Sequence, residues 1–284
     1  MVDKKIIIKS INDAIIKCSS SIRVGKNSLS NKVKSTLNKF AKRTESNTIE
    51  QGLIIGSNGE ELDLNEGTYE NVSYTEDEVL KALTDNNGKD LYFTHNHVGS
   101  FIDKEGKYDE VLQLNMPTML SLADIQTLFE TGEYNGVKIT PFKSITADST
   151  NGTRMTLTRI DNDGEDLTNN HVLNNLSDSK FYTNEAWKNM YSRWATFFNQ
   201  YNNGVKNFSK TWLEENRPKY MKLYEENGHD ESVFHGENGM WSELSKAQEK
   251  YNKDYIKNNY EDMVMKDSIK EFEEIGFELS MEWR

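Results

Sequence analysis

The sequence predicts an α+β protein in which a mostly antiparallel sheet is flanked by helices. Short apolar segments separated by turn residues run from 48 to 160, an aromatic pattern at helical spacing runs from 181 to 275, and the last residues alternate between apolar and polar. With 284 residues, 35% hydrophobic, the chain can build its own core. We expect five segments: a basic helical arm (1–47), a domain carrying the sheet (48–160), a linker (161–180), a helical hairpin extension (181–275) and a terminal strand returning to the sheet (276–284).

The N-terminal arm is predicted to be helical and is strongly basic. Its apolar stripe recurs at three- and four-residue steps: Leu29, Val33, Leu37 and Phe40. Residues 1–46 hold eleven basic and three acidic residues, a net charge of +8, so the rest of this −12 chain carries −20. Such an arm could contact nucleic acid or an acidic partner. The alternative is a solvated helical segment that docks on its own acidic body.

The region 48–160 is predicted to alternate between strands and helices. "TIEQGLIIG" and "EELDL" are typical of strands joined by a turn at Asn58-Gly59. Thr75 and Glu78 have the spacing of a capping box that opens a helix. "LYFTH" predicts the next strand and "SLADIQTLFETG" the next helix, and "FKSITAD" with "RMTLTRI" predicts a hairpin around Asn151-Gly152.

From 181 the aromatic residues mark one face of a long helix, which Pro218 is expected to end. A second stretch, ending near Gly276, predicts an antiparallel partner. Such a stripe could stack nucleic-acid bases, but its regular step favours packing between helices. The closing segment places four apolar residues on one side of a predicted strand: Phe277, Leu279, Met281 and Trp283.

Composition also limits where the protein acts and how it could bind a metal. No apolar segment is long enough to cross a bilayer and no signal-peptide core is evident, so we expect a cytoplasmic protein with no membrane partner. The only cysteine, Cys18, excludes an internal disulfide and a cysteine-based zinc cluster. Any metal must therefore be held by histidines and carboxylates.

His95 and His97 lie two residues apart at the end of a predicted strand, so both imidazoles project from the same face. Downstream, Ser121 is expected to cap a helix with Asp124 in its first turn; upstream, Glu50 begins a strand. Two histidines and one carboxylate are three ligands for a zinc ion, which leaves the fourth position of a catalytic site for water. Hydrolysis also needs a general base and an oxyanion donor, which Glu50 and Ser121 could supply.

These residues resemble the pattern of the JAB/MPN (JAMM) metalloprotease family: an upstream glutamate on the first strand, His-x-His at a strand end, and Ser-x-x-Asp opening a helix. "EQGLIIG" from 50, "HNH" at 95–97 and "SLAD" at 121–124 match it in order, within a JAB/MPN-like domain of 48–160. The resemblance extends to the JAB domains of RadC-type and phage-encoded proteins. It implies that His95, His97 and Asp124 bind Zn²⁺, that Glu50 is the general base, and that Ser121 stabilises the oxyanion.

Two departures from the family leave alternatives open. Val98 stands where the family usually has proline, and residues 98–120 form an insert where the family keeps a short connection. The insert could be a lid or a substrate-binding loop. It could instead supply the carboxylate ligand, from Asp103 or Asp109. The base likewise has nearby acidic competitors: Glu45, Glu60 and Glu61.

Three classes of function follow from these features. The first is a zinc-dependent hydrolase of peptide or isopeptide bonds that acts on a protein or peptide substrate. The second is a non-catalytic structural or interaction protein of a phage or mobile element, with a phage or host protein as partner. The third is a RadC-like nucleic-acid-associated protein that uses the basic residues 1–46. The abundance of lysine, asparagine and isoleucine suggests a bacterial or phage source, hence a host cytoplasm or a virion.

Overall fold

A seven-stranded sheet forms the framework of the computed structural model, which describes residues 23–47, 49–68, 71–97, 117–149, 152–160 and 176–283. Its strands are β1 (Arg23–Val24), β2 (Gln51–Ile55), β3 (Glu61–Glu66), β4 (Leu91–His97), β7 (Phe142–Ser149), β8 (Thr153–Arg159) and β9 (Phe277–Trp283); β5 (Gly132–Tyr134) and β6 (Val137–Ile139) form a separate hairpin. The order is β1-β9-β8-β7-β4-β2-β3, and only the β4–β7 pair is parallel. The predicted α+β class with a mostly antiparallel sheet is confirmed.

The described helices vary widely in length. They are α1 (Asn31–Thr44), α2 (Glu76–Asp85), α3 (Leu122–Thr127), α4 (Leu176–Glu226), α5 (Ser232–His235), α6 (Met240–Tyr260), a π-helical turn (Glu261–Met265) and α7 (Lys266–Glu274). Local signals in the sequence explain several boundaries. Thr75 forms the expected capping box with Glu78 at the start of α2. Gly59, in the turn between β2 and β3, has a φ of +82°, a conformation that glycine adopts without strain.

Helix α1 covers one face of the sheet at β2 and β4. A single buried cluster joins them: Leu29, Val33, Leu37, Phe40, Leu53 and Ile55, with Tyr92 packed against it. Burial of each large apolar side chain contributes about 1.5–3 kcal/mol. The stripe predicted from the sequence is therefore the surface by which α1 docks on its own sheet.

The opposite face of the sheet is also apolar. Because side chains alternate along a strand, Phe93, Ile145 and Leu157 all project from this face. Each is almost fully buried. Leu279 and Met281 of β9 extend the same face, opposite Leu157 and Met155. This is the face from which His95 projects, two residues beyond Phe93 on β4.

The chain divides into two compact units. One comprises the described residues up to Met190 together with 265–283, and it contains the sheet. The other, Tyr191–Val264, is helical. Within it Phe197 contacts Tyr260, with ring centroids 5.1 Å apart, and Phe208 contacts Tyr251 at 4.7 Å.

These contacts show that α4 and α6 run antiparallel, packed through the aromatic stripe. The predicted end of the first helix at Pro218 is wrong, because α4 continues to Glu226. Proline removes one backbone donor without ending the helix here, and side chains on the two sides of it pack together. Tyr220 is only 7% exposed and its ring lies 6.5 Å from that of Trp212.

Strand β9 confirms that the closing alternation forms a strand, and it pairs antiparallel with both β8 and β1. Its apolar members Phe277, Leu279 and Met281 are at most 1% exposed. Among the helices of the described part of the chain, none has the length and apolar character needed to span a membrane.

Candidate metal centre

His95 and His97 lie at the carboxyl end of β4, where the apolar face of the sheet gives way to polar side chains. Their Nε2 atoms are 2.9 Å apart. The ring of Phe93 stacks on that of His95, with centroids separated by 5.4 Å and planes tilted by 15°. Opposite His95 in the β2–β4 register is Gly52. A Cβ at Gly52 would lie 3.0 Å from the Phe93 ring, so the glycine leaves the space that this ring occupies.

Asp124 completes a group of three ligand atoms. Its Oδ1 lies 3.2 Å from His95 Nε2 and its Oδ2 lies 3.5 Å from His97 Nε2. One ligand atom from each residue falls within 4.8 Å of the other two, the only such group of three among the residues that the structure describes. The structure thus brings together the three residues predicted to bind zinc.

The N-terminus of α3 holds Asp124 in place. Ser121 Oγ accepts a hydrogen bond from the Asp124 N–H at 3.1 Å, and Asp124 Oδ2 accepts one from the Ser121 N–H at 2.7 Å. This reciprocal capping box satisfies two helix donors and fixes the direction of the carboxylate. The cap uses a lone pair of the Ser121 oxygen, which leaves the hydroxyl hydrogen for another acceptor.

The charges of the cluster are strongly coupled. Burial alone would raise the pKa of Asp124, but the adjacent imidazoles of His95 and His97 outweigh it and hold that pKa well below its usual range. Burial would lower the pKa of His95, yet the carboxylates of Asp124 and Glu50 raise it above its usual value. Each group of this His–Asp contact therefore favours the charged form of the other.

Glu50 lies directly before β2. Gly52, two residues after Glu50, pairs with His95 in the β2–β4 register. Burial raises the pKa of the Glu50 carboxyl, while the charges of His95 and His97 act in the opposite direction. Glu50 thus belongs to the same electrostatic group as the three candidate ligands.

The other acidic candidates lie elsewhere or outside the description. Glu60 and Glu61 are at the far end of β2 from Glu50, since Glu61 pairs with Ile55. Glu45 follows the last residue of α1. Asp103 and Asp109, with most of the 98–120 insert, lie outside the described residues, as do residues 1–22 of the basic arm.

Two polar residues beside the site were missed by sequence reasoning. Thr118 Oγ1 lies 3.0 Å from His97 Nδ1, and the Thr118 N–H donates to Thr153 Oγ1 at 2.8 Å. Asn96, between the histidines, bonds the backbone on both sides of Glu50. The sequence carried a signal for Asn96 only, as the middle residue of "HNH"; Thr118 lies within an insert of no recognisable pattern.

The cluster is closed on one side and open on the other. The side chain of His95 is 3% exposed, whereas those of Asp124 and His97 are 15% and 27% exposed. The most exposed of the three side chains is thus that of His97, while the apolar face of the sheet lies behind His95.

Comparison with known proteins does not identify this arrangement: no protein-family model, no curated protein and no solved structure matches the chain.

Proposed function

We propose that this protein is a zinc-dependent hydrolase of peptide or isopeptide bonds. The observation that carries the proposal is the grouping of His95, His97 and Asp124 within 4.8 Å, with Glu50 in the same electrostatic group. The resemblance to the JAB/MPN pattern supports the same roles. A protein or peptide is the substrate class that this resemblance implies.

The donor set fits zinc. Two imidazole nitrogens and a carboxylate oxygen are a known catalytic combination for Zn²⁺, and this ion tolerates the three-ligand arrangement that keeps one position open. The chemistry of His97 also fits, because an acceptor at Nδ1 would hold the proton there and leave Nε2 free to coordinate. When bound, zinc would lower the pKa of a coordinated water and polarise the scissile carbonyl.

The chain's own residues would perform the proton transfers. Glu50 takes the proton from the attacking water and delivers it to the leaving amine; its raised pKa brings it closer to neutral pH, where a general base is most effective. The Ser121 hydroxyl donates a hydrogen bond to the oxyanion as the carbonyl becomes tetrahedral. His97, the more exposed imidazole, borders the side from which the substrate enters.

The first experiment tests the metal. Protein purified without chelators should contain close to one zinc per chain by elemental analysis, and replacing both His95 and His97 by alanine should empty the site. Full zinc content in this double variant would overturn the assignment.

The second experiment tests catalysis with a panel of peptides and isopeptide-linked conjugates, and with the chain itself as a substrate. Glu50→Gln keeps the shape of the side chain but cannot accept a proton, so zinc should stay bound while hydrolysis falls on the order of a hundred- to ten-thousand-fold. A wild-type protein that binds zinc but cleaves no member of the panel would favour a non-catalytic role.

A second candidate function is association with nucleic acid, and helix α1 favours it. The helix contains no acidic residue, and Lys32, Lys39 and Lys42 are exposed on it. Cationic side chains in one row are suited to phosphate contacts. A DNA or RNA titration at increasing salt tests this: affinity should fall steeply with salt, and Lys→Gln changes at these three positions should reduce the salt slope.

A further inference from the structure

Asn96 holds the backbone on both sides of Glu50. Its side-chain Oδ1 accepts a hydrogen bond from the Gln51 N–H at 2.6 Å, and its Nδ2 donates to the Ile49 carbonyl oxygen at 3.2 Å. Asn96 is 1% exposed, so these are not incidental surface contacts. One side chain therefore uses both its acceptor and its donor on the two residues that flank the proposed base.

The backbone of Glu50 itself is held from the other direction. Its N–H donates to the Thr68 carbonyl oxygen, and its carbonyl oxygen accepts from the Gly67 N–H, both at 2.8 Å. The segment 49–51 is thus fixed by four hydrogen bonds, two from the main chain of 67–68 and two from the Asn96 amide. A carboxylate attached to such a segment has only its own side-chain torsions left to vary.

The position of Asn96 on β4 explains why an amide is needed there. The paired register of β2 and β4 ends at Gly52 and His95. Beyond that point the Asn96 amide takes the place of the main-chain ladder, because it offers one donor and one acceptor as a peptide group does. The same three residues that place two imidazoles beside Asp124 thus also connect to the segment bearing Glu50.

We propose that Asn96 is a positioning residue that fixes Glu50 relative to His95, His97 and Asp124. This inference rests on the proposed hydrolytic function, because it assigns Asn96 a role in the reaction of that site. Asn96 touches neither the substrate nor the reacting atoms; it acts through the backbone of residues 49 and 51.

The chain offers a matched control at the other end of the same strand pair. Asn86 is 2% exposed, and its Oδ1 accepts from the Ser57 N–H at 3.2 Å. Its Nδ2 donates to the carbonyl oxygens of Lys89 and Asp90. Asn86→Ala removes a comparable brace between β2 and β4 without touching the segment that carries Glu50.

The first measurement needs no metal and no substrate. In metal-free protein, amide exchange followed by NMR should show the Gln51 N–H exchanging at least about tenfold faster in Asn96→Ala than in wild type, because its acceptor is gone. Asn86→Ala should leave that amide unchanged. Equal protection of Gln51 in all three proteins would overturn the proposal.

The second measurement tests whether the Glu50 side chain is correctly placed at the metal site. With cobalt(II) in place of zinc, the visible spectrum and its pH dependence should change in Glu50→Gln, and Asn96→Ala should change them in the same direction while binding one metal per chain. On any substrate that the panel yields, Asn96→Ala should lower kcat roughly ten- to a hundredfold with KM unchanged, as expected for a misplaced catalytic group. Asn86→Ala should match wild type in both respects.

The outcomes separate the two claims. If wild-type protein binds no metal, the proposed function fails and this inference with it. If wild type is a zinc hydrolase but Asn96→Ala has the same cobalt spectrum and the same kcat as wild type, only the proposed role of Asn96 fails. If Asn96→Ala does not fold, Asn96→Asp is the second variant, because it keeps the acceptor for the Gln51 N–H but places a carboxylate oxygen against the Ile49 carbonyl oxygen. Asn96→Asp should shift the cobalt spectrum and lower kcat. Wild-type values of both in Asn96→Asp would also overturn the proposal.

Discussion

At the scale of one residue, Thr118 contacts a candidate metal ligand without belonging to the candidate ligand set. Its hydroxyl lies 3.0 Å from His97 Nδ1, and its own N–H is held by Thr153. The contact orients the His97 ring, and with the Thr118 oxygen as acceptor the proton would sit on Nδ1 and leave Nε2 available to a metal. His95 differs, since its buried Nδ1 has no hydrogen-bond partner among the described residues.

Thr118→Val should therefore weaken zinc binding without removing a ligand. Valine keeps the shape of threonine but lacks the hydroxyl, and loss of such an outer contact typically costs about 10–100-fold in metal affinity. The measurement is a competition titration against a chromophoric chelator. Thr118→Ser retains the hydroxyl and should bind like wild type; if valine and serine variants bind equally well, the hydrogen bond does not matter.

At this scale the sequence predicted residue types better than contacts. The spacing of His95 and His97 and the capping pattern of Ser121 and Asp124 were visible because each depends on local geometry. That these two pairs meet depends on how α3 lies against β4, which no local pattern encodes. The contacts of Asn96 and Thr118 likewise depend on strand register and on the path of the chain before Leu120.

At the scale of elements, the first turn of α3 combines a helix cap with a candidate ligand. The same Asp124 carboxylate that accepts from the Ser121 N–H faces both imidazoles. Helix α2 begins with the same device, formed by Thr75 and Glu78. The two caps provide a comparison between structural and functional roles of one motif.

Ser121→Ala and Thr75→Ala should each lower the free energy of unfolding by about 1 kcal/mol, the usual value of an N-cap. Only Ser121→Ala should also reduce hydrolysis, on the order of a hundred- to a thousandfold, because it removes an oxyanion donor. Urea unfolding and the substrate panel measure the two effects. Equal hydrolytic activity of the two variants would mean that Ser121 acts only as a helix cap.

The ion pair between β4 and α3 makes stability depend on pH. The depressed pKa of Asp124 gives a contribution present above the unfolded value, about 3.9, and lost as pH falls through the folded pKa. The raised pKa of His95 gives a contribution to the free energy of unfolding that is present below about pH 6.5, the unfolded pKa, and is lost as pH rises through the folded pKa. Metal-free protein should thus gain most from this pair between about pH 4 and 6.5.

Stabilisation by zinc should instead increase as pH rises, since zinc binds unprotonated imidazole. We expect the rise in Tm on adding zinc to be larger at pH 8 than at pH 6, measured by calorimetry in the same buffer series. The variant with both histidines replaced by alanine should show no rise at either pH. A rise that is equal at both pH values would mean that the His95 proton does not compete with the metal.

Local sequence patterns predict most helices and strands but not which of them lie next to each other in the sheet. The two predicted hairpins and the closing strand are present because turn residues and alternation are local signals. The parallel pairing of β4 with β7 and the pairing of β1 with β9 were not predicted. Strand β1 has only two residues, too few to show a period.

At the scale of the whole molecule, distant parts of the chain meet around Arg154, which is 1% exposed. It binds Asp148 of β7 through two nitrogens, at 2.7 and 3.2 Å, and contacts Glu282 of β9 at 3.0 Å. Arg154 also donates to Asn38 of α1, and Glu282 in turn pairs with Arg23 of β1. This network and the apolar face of β9 connect the two ends of the described chain.

Strand β9 should therefore be indispensable to the sheet. Removing residues 277–284 would expose β8 and the apolar residues beneath, so we expect loss of cooperative unfolding in urea. Leu279→Ala should cost about 2–5 kcal/mol as a buried leucine. Glu278→Ala, on the same strand but only partly buried, should cost much less. A shortened chain as stable as the full one would show that β9 is dispensable.

The place of β9 between β1 and β8 also has a consequence for synthesis on the ribosome. Arg23 pairs with Glu282, 259 positions later in the chain, so β1 leaves the exit tunnel long before its partner is translated. At roughly 5–20 residues per second that interval is on the order of tens of seconds. In the later part of this interval the nascent chain already contains His95, His97 and Asp124, and β8, once translated, still lacks its neighbour β9. Completion of the sheet must therefore follow translation of β9, and a chaperone that shields the open edge of β8 would act in this interval.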